Sequence, residues 1–190
     1  MTSLTFTTSK SENDLLGIIE LQKNNLPDNL TPEQITSQGF VTVIHKLTDL
    51  KRMNDIEQHI ICKDGEKVIA YLLAMTAKSQ NDIPVLIPMF EAFKTLLYLG
   101  KPVSAYNYIV VGQVCVDKKY RGMGVLDQCY EDYKNSFKNR YDFAITEISG
   151  RNLRSINAHK RIGFNVIHTY TESDFEEWEV VIWDWANRKP

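Results

Sequence analysis

Apolar positions along the chain change period repeatedly, and each change marks an element. Leu4 to Thr8 reads as a short strand. Leu15, Ile18, Ile19 and Leu21 then form one stripe of a helix over Ser11 to Asn25, which Pro27 stops. Thr31-Pro32-Glu33-Gln34 has the chemistry of a second helix start: a hydroxyl cap, a proline at the first position and a side-chain amide three residues on. That helix fades near Gly39, and a short strand or loop at Phe40 to Ile44 and a small helix near Asp49 to Met53 follow. Gln58 to Cys62 and Val68 to Thr76 predict a hairpin, turning at Asp64-Gly65. Leu86, Met89, Phe90, Phe93, Leu96 and Leu97 predict a helix across 83–98, ended by Gly100-Lys101-Pro102. Tyr106 to Val116 is a long strand and Gly122 to Phe137 a helix with Val125, Leu126, Cys129, Tyr130, Tyr133 and Phe137 on its apolar side. Phe143 to Ile148 is a strand, Leu153 to Ile162 a helix ended by Gly163, and Asn165 to Tyr170 with Glu179 to Trp185 a final pair of strands.

The order β-α-α-β-β-(inserted α)-β-α-β-α-β-β predicts one α/β domain over residues 1–190 with a mixed sheet. Composition agrees with a globular chain: of 190 residues, 43% are hydrophobic and 24% charged. The 22 Lys and Arg against 24 Asp and Glu provide no global basic field for a nucleic acid. The most apolar run, Ile83 to Leu99, is broken by Pro84, Pro88, Glu91 and Lys94 and predicts no membrane span. Cys62, Cys115 and Cys129 lack metal-like or C-x-x-C spacing and read as small core residues in a reducing cytosol. No metal ligand set emerges. The N-terminus has no basic start followed by an apolar stretch, so the expected location is cytoplasmic.

Chemistry concentrates after the long strand, in Asp117-Lys118-Lys119-Tyr120-Arg121-Gly122-Met123-Gly124-Val125. A helix start leaves backbone N–H groups unpaired with a partial positive charge, and glycines let an anion approach them closely. Lys118, Lys119 and Arg121 add attraction. The string is neither a Walker loop nor G-x-G-x-x-G, since Asp127 stands three residues after Gly124. A second polar stripe, Asn152, Ser155 and His159, falls at i, i+3 and i+7 of the later helix. By itself that stripe fits a solvated face as well as a site.

Together, Lys119-Tyr120-Arg121-Gly122-Met123-Gly124 and the run Glu147 to Phe164 resemble the two coenzyme A motifs of the GNAT superfamily of acyl-CoA-dependent N-acyltransferases. Lys119 stands where that pattern has Gln or Arg. The resemblance covers roughly residues 105–170, with 83–98 as an insertion. It implies that the turn, with Lys119, Arg121, Gly122, Met123, Gly124 and Val125, cradles the pyrophosphate of acetyl-CoA. It implies further that Val114 to Val116 pair with the pantetheine arm, and that Asn152 and Ser155 contact the cofactor. Glu147 is then the candidate general base. His159 is the candidate acid for the departing thiolate, in place of the usual Tyr.

The expected reaction is direct transfer of an acetyl group to an amine, small molecule or peptide, without metal, nucleic acid or membrane; a homodimer is left open. Gln113 reads equally as an acceptor-orienting or a structural residue, and Cys115 has no adjacent His to make it a nucleophile. The acidic run Glu172 to Glu179, with Phe175 and Trp178, reads as a solvated loop or a lure for a cationic amine. The alternatives are a non-catalytic acyl-CoA-binding module and some other nucleotide-binding α/β domain.

Overall fold

The computed structural model describes residues 3–81, 83–171 and 176–186. Seven strands form one sheet in the order β1-β2-β3-β6-β7-β9-β8: β1 Leu4–Thr8, β2 Ile60–Asp64, β3 Lys67–Met75, β6 Tyr108–Val116, β7 Phe143–Ser149, β8 Asn165–Thr171 and β9 Glu177–Asp184. A minor ribbon pairs β4, Leu97–Tyr98, with β5, Lys101–Pro102. Every neighbour pair in the main sheet is antiparallel except β6 with β7.

Helices cover both faces. On one lie α1 (Glu12–Lys23), α3 (Leu47–Ile56) and α4 (Ile87–Ala92), whose Leu15, Ile18, Leu50, Met53, Met89 and Phe90 pack with Tyr71, Leu73, Val110, Phe143, Ile145 and Val180. On the other lie α5 (Val125–Phe137) and α6 (Leu153–Ile162), whose Val125, Cys129, Tyr133, Phe137 and Ile156 pack with Leu72, Ile109, Val111, Ala144 and Val181. Alternate residues of β7 thus enter opposite cores, as the two-residue period of a strand requires. Both faces of β3 are buried, which is why Val68 to Met75 is a continuous apolar run.

Local chemistry sets the helix starts. Ser11 caps α1 and Thr31 caps α2 (Pro32–Gln38), each in a reciprocal capping box. Gly163, at φ 118°, ends α6 in the left-handed region.

Several expectations are corrected. The element across 83–98 is a short turn at Pro84–Leu86 followed by α4, which stops at Ala92; the chain then forms the β4–β5 ribbon around Leu99 and Gly100, both at positive φ. Apolar spacing over that stretch records burial against Phe143 and Tyr108, and helix continues for only part of it. The first hairpin turns at Gly65-Glu66, one residue later than expected, because Asp64 still pairs with Lys67. Helix α5 starts at Val125, since Gly122 and Gly124 both sit at φ 78°. Phe40 to Ile44 belongs to no helix or sheet, and α3 is longer at both ends than the helix expected there.

Candidate active site

The one parallel contact of the sheet is short. β6 pairs with β7 only from Tyr108–Phe143 to Val110–Ile145, although β6 runs on to Val116 and β7 to Ser149. The divergence begins at a bulge: Leu72 faces Val114 and Ala74 faces Val111, so β6 carries one extra residue at Gly112–Gln113. At the fork, two side chains take over where the ladder ends. Tyr133 donates to the Val110 carbonyl at 3.0 Å and Thr146 to the Val111 carbonyl at 2.9 Å. Beyond it Val114, Cys115 and Val116 keep partners on β3 and, among the described residues, have none on β7.

That gap opens into a cleft of about 570 Å³. Its walls are Val114–Val116, the turn from Tyr120 to Asp127, the α6 face from Asn152 to Arg161, and Phe40–Val41. The head of α5 faces it with no side-chain cap on Gly124. A Cβ placed on Gly122 or Gly124 would meet nothing within 4 Å, so both glycines border open space. These residues fit an anion of diphosphate type: uncapped N–H groups at a helix start, left-handed glycines and an open approach.

The sequence-predicted residues distribute unevenly. Val114, Val116, Arg121, Gly122, Gly124, Val125, Asn152, Ser155 and His159 all line the cleft. Lys119 and Met123 do not; Lys119 is exposed and Met123 is 64% exposed. Arg121 lines it but folds its guanidinium back, donating to the Val116 carbonyl at 2.9 Å and to Asn25 Oδ1 at 2.7 Å. Burial, with Arg154 nearby, lowers its pKa. Asn152 caps α6 by accepting from Ser155 N, and donates to the Phe40 carbonyl at 3.0 Å.

His159 is 2% exposed. Its Nδ1–H donates to the Ser155 carbonyl at 2.8 Å, which leaves Nε2 to accept from the Tyr130 hydroxyl at 2.6 Å. Burial pushes its pKa down to about 4. The ring is therefore neutral at pH 7 with both nitrogens engaged. The expected proton donor thus has its N–H held by a carbonyl and its other nitrogen occupied by a hydroxyl.

Glu147 lies on β7 on the α1 side of the sheet, on the same face as Phe143 and Ile145. It does not line the 570 Å³ cleft. Tyr170 of β8 donates to its Oε2 at 3.0 Å. Trp178 opposes both Ser149 and Tyr170 in the sheet register. Gln113 is fully used inside: it accepts from Tyr71 and from Gln22, each at 2.6 Å, and donates to the Val43 carbonyl at 2.9 Å. Cys115 borders the cleft, but burial raises its thiol to about 12. Of the acidic run, residues 172–175 lie outside the described residues; Glu176 accepts from Ser149 and pairs with Arg151.

Sequence reasoning read a short strand or loop at Phe40 to Ile44 but missed that the segment from Gly39 to Lys46 is a strap over the site. It crosses the diverging strands and is pinned by the side chains of Asn152, Gln113 and Gln22 and by the Asn25 carbonyl. The β-branched run Val41-Thr42-Val43-Ile44 was a signal for an extended segment, but not for its place. It also missed Tyr170 as the partner of Glu147. Among the described residues, no helix is long and apolar enough to cross a membrane and no three His, Cys, Asp or Glu side chains are grouped to hold a metal.

Comparison with family models finds no match, and comparison with curated proteins finds none. Solved structures do match. Arabidopsis thaliana NAA60, in complex with a bisubstrate analogue, superposes with a TM-score of 0.65 at 11% identity, over 96% of this chain and 98% of that one. A chain of the NatC complex bound to Gag peptide and CoA matches at 0.64 and 11%, over 96% and 98%. The ribosomal-protein-S18-alanine N-acetyltransferase of Escherichia coli matches at 0.61 and 12%, over 96% and 94%. With the diverging strands, the uncapped glycine amides and this likeness along nearly the whole chain, the protein has the GNAT fold of the N-acetyltransferases.

Proposed function

We propose that the protein transfers an acetyl group from acetyl-CoA to an amine. The observation that carries this reading is the early parting of β6 and β7 beside the uncapped head of α5. A diphosphate held by the amides of Gly122 to Val125 directs a thioester arm along Val114 to Val116, where the strand edge supplies backbone pairing and Asn152 and Ser155 border the path. The neighbours include chains solved with CoA or a bisubstrate analogue, which supports the same ligand here.

Glu147 is the candidate base. An amine arrives as ammonium, and a carboxylate near the thioester removes its proton directly or through water. The nitrogen then attacks the carbonyl carbon, an amide N–H near the β6 bulge stabilises the oxyanion, the nitrogen releases its second proton to water, and the C–S bond breaks as the carbonyl re-forms. A thiol with a pKa near 8.5 leaves as thiolate without a strong acid and takes its proton from solvent. His159 holds the α5–α6 contact through Tyr130 rather than supplying that proton. The remaining work is positioning two substrates.

The test is a thermal-shift and labelled-acetyl assay. Acetyl-CoA is expected to raise the Tm where ATP and NAD do not, and a scan of small amines and peptide N-termini is expected to yield a labelled product. A neutral, fully engaged His159 also suits a module that binds acyl-CoA without transferring it. Binding with no product from any amine would favour that second reading.

A further inference from the structure

Of the turn's cations only Arg121 lines the cleft, and its guanidinium is turned onto other partners. Arg121 is folded back onto Val116 and Asn25, and Lys118 and Lys119 lie outside the lining. Arg154 and Arg161 reach it from α6, two turns apart on one helix face. Arg161 forms an ion pair with Asp127, which stands in the first turn of α5 and also lines the cleft. The pair therefore spans the cleft between its two helical walls. Both side chains are about half exposed, at 57% and 47%, so water screens the contact and it is weakly held. A guanidinium binds a phosphate more firmly, through two parallel donors to a more highly charged partner.

We propose that Arg161 is a specificity-determining residue that reads a terminal phosphomonoester on the cleft's ligand, separate from the diphosphate held by the α5 amides. Asp127 is its resting partner and is exchanged for that phosphate on binding. In coenzyme A the group is the ribose 3′-phosphate, so the inference rests on the CoA reading above and adds to it the discrimination against 3′-dephospho-CoA. Asp127 serves a second purpose: its carboxylate keeps Arg161 turned across the cleft when no phosphate is present, and it repels a diphosphate that strays from the glycine amides.

The experiment is calorimetric titration of the full chain with CoA and with 3′-dephospho-CoA. The wild type is expected to prefer CoA by about tenfold, a difference of about 1.4 kcal/mol. Arg161→Ala is expected to lose that preference by weakening CoA alone, with 3′-dephospho-CoA within about twofold of its wild-type affinity. Asp127→Asn is expected to tighten CoA by about two- to fivefold, because the competing carboxylate is gone. Equal weakening of both ligands by Arg161→Ala would show that Arg161 reads the diphosphate or only the fold, and would overturn the proposal. So would a wild type that binds the two ligands equally. A wild type that binds neither overturns the CoA reading itself, a distinct result. Both substitutions are at exposed positions, and a Tm within a few degrees of wild type confirms that the variants are folded.

Discussion

Glu147 and His159 stand near one another in sequence, yet their environments differ. Glu147 presents a carboxylate steadied by the Tyr170 hydroxyl. Glu147→Gln is expected to lower kcat by about 10²- to 10⁴-fold, the usual worth of a positioned base, with CoA affinity retained. Single-turnover kinetics beside CoA titration checks this, and unchanged turnover would remove Glu147 from the mechanism. His159 is buried, neutral and bonded at both nitrogens. His159→Phe leaves the buried Tyr130 hydroxyl without its acceptor and is expected to cost about 1–3 kcal/mol of stability. The denaturation midpoint in urea reports it. If His159 were the acid, the kcat profile of the wild type would instead show an inflection near the pKa of a donating imidazole.

At the scale of elements, the fork between β6 and β7 is the decisive feature. Two carbonyls at its base are satisfied by Tyr133 and Thr146, so the strands part without leaving buried acceptors unpaired. Thr146→Val keeps the shape but removes one of these bonds, and is expected to destabilise the chain by about 1–3 kcal/mol. Amide exchange at the fork should rise with it; unchanged protection there would show that the bond does not close the ladder. At the head of α5, Gly124→Ala forces a side chain into the left-handed region at a cost of about 1–2 kcal/mol. The turn is expected to relax away from that conformation and CoA to bind at least about tenfold more weakly, by calorimetry. Wild-type affinity in that variant would mean that the amide cradle does not hold the diphosphate.

Across the whole molecule, three histidines are buried in neutral form. His45 and His159 have pKa values pushed down to about 4 and His59 to about 3, in each case chiefly by burial. His59 is locked by the Ala74 N–H on Nδ1 and the Leu50 carbonyl on Nε2. The unfolded chain protonates these rings near pH 6.5, and the folded chain resists until far lower. Below about pH 6.5 the unfolded state therefore binds more protons, and stability falls as pH drops towards 4; above about pH 7.5 it is level in these groups. Asp14 and Asp117 have pKa values lowered by hydrogen bonds and cations against the opposing effect of burial, so they add losses only in more acid solution, below their ordinary 3.8. Urea unfolding at pH 8, 7, 6 and 5 is expected to show a loss of several kcal/mol between 7 and 5. A flat profile over that range would mean that these rings are hydrated or charged in the folded chain.

The sequence by itself was enough for the order along the chain of the seven strands of the main sheet, the caps at Ser11 and Thr31, the stop at Gly163 and a glycine-bearing turn into α5. Periodicity, capping and positive-φ glycines are local properties, settled by neighbours within a few residues. What local chemistry could not determine is where a side chain goes when its partner is distant in the chain. Arg121 reads in the sequence as a phosphate ligand, and in the fold its guanidinium also engages Asn25, 96 residues away. His159 reads in the sequence as an acid, and in the fold it is buried against Tyr130 with its pKa pushed down. Gln113 was absorbed by Gln22, Tyr71 and Val43, and Arg161 met Asp127 across the cleft. Only tertiary packing decides such pairings, because desolvation and hydrogen-bond geometry depend on which elements are brought together and how closely.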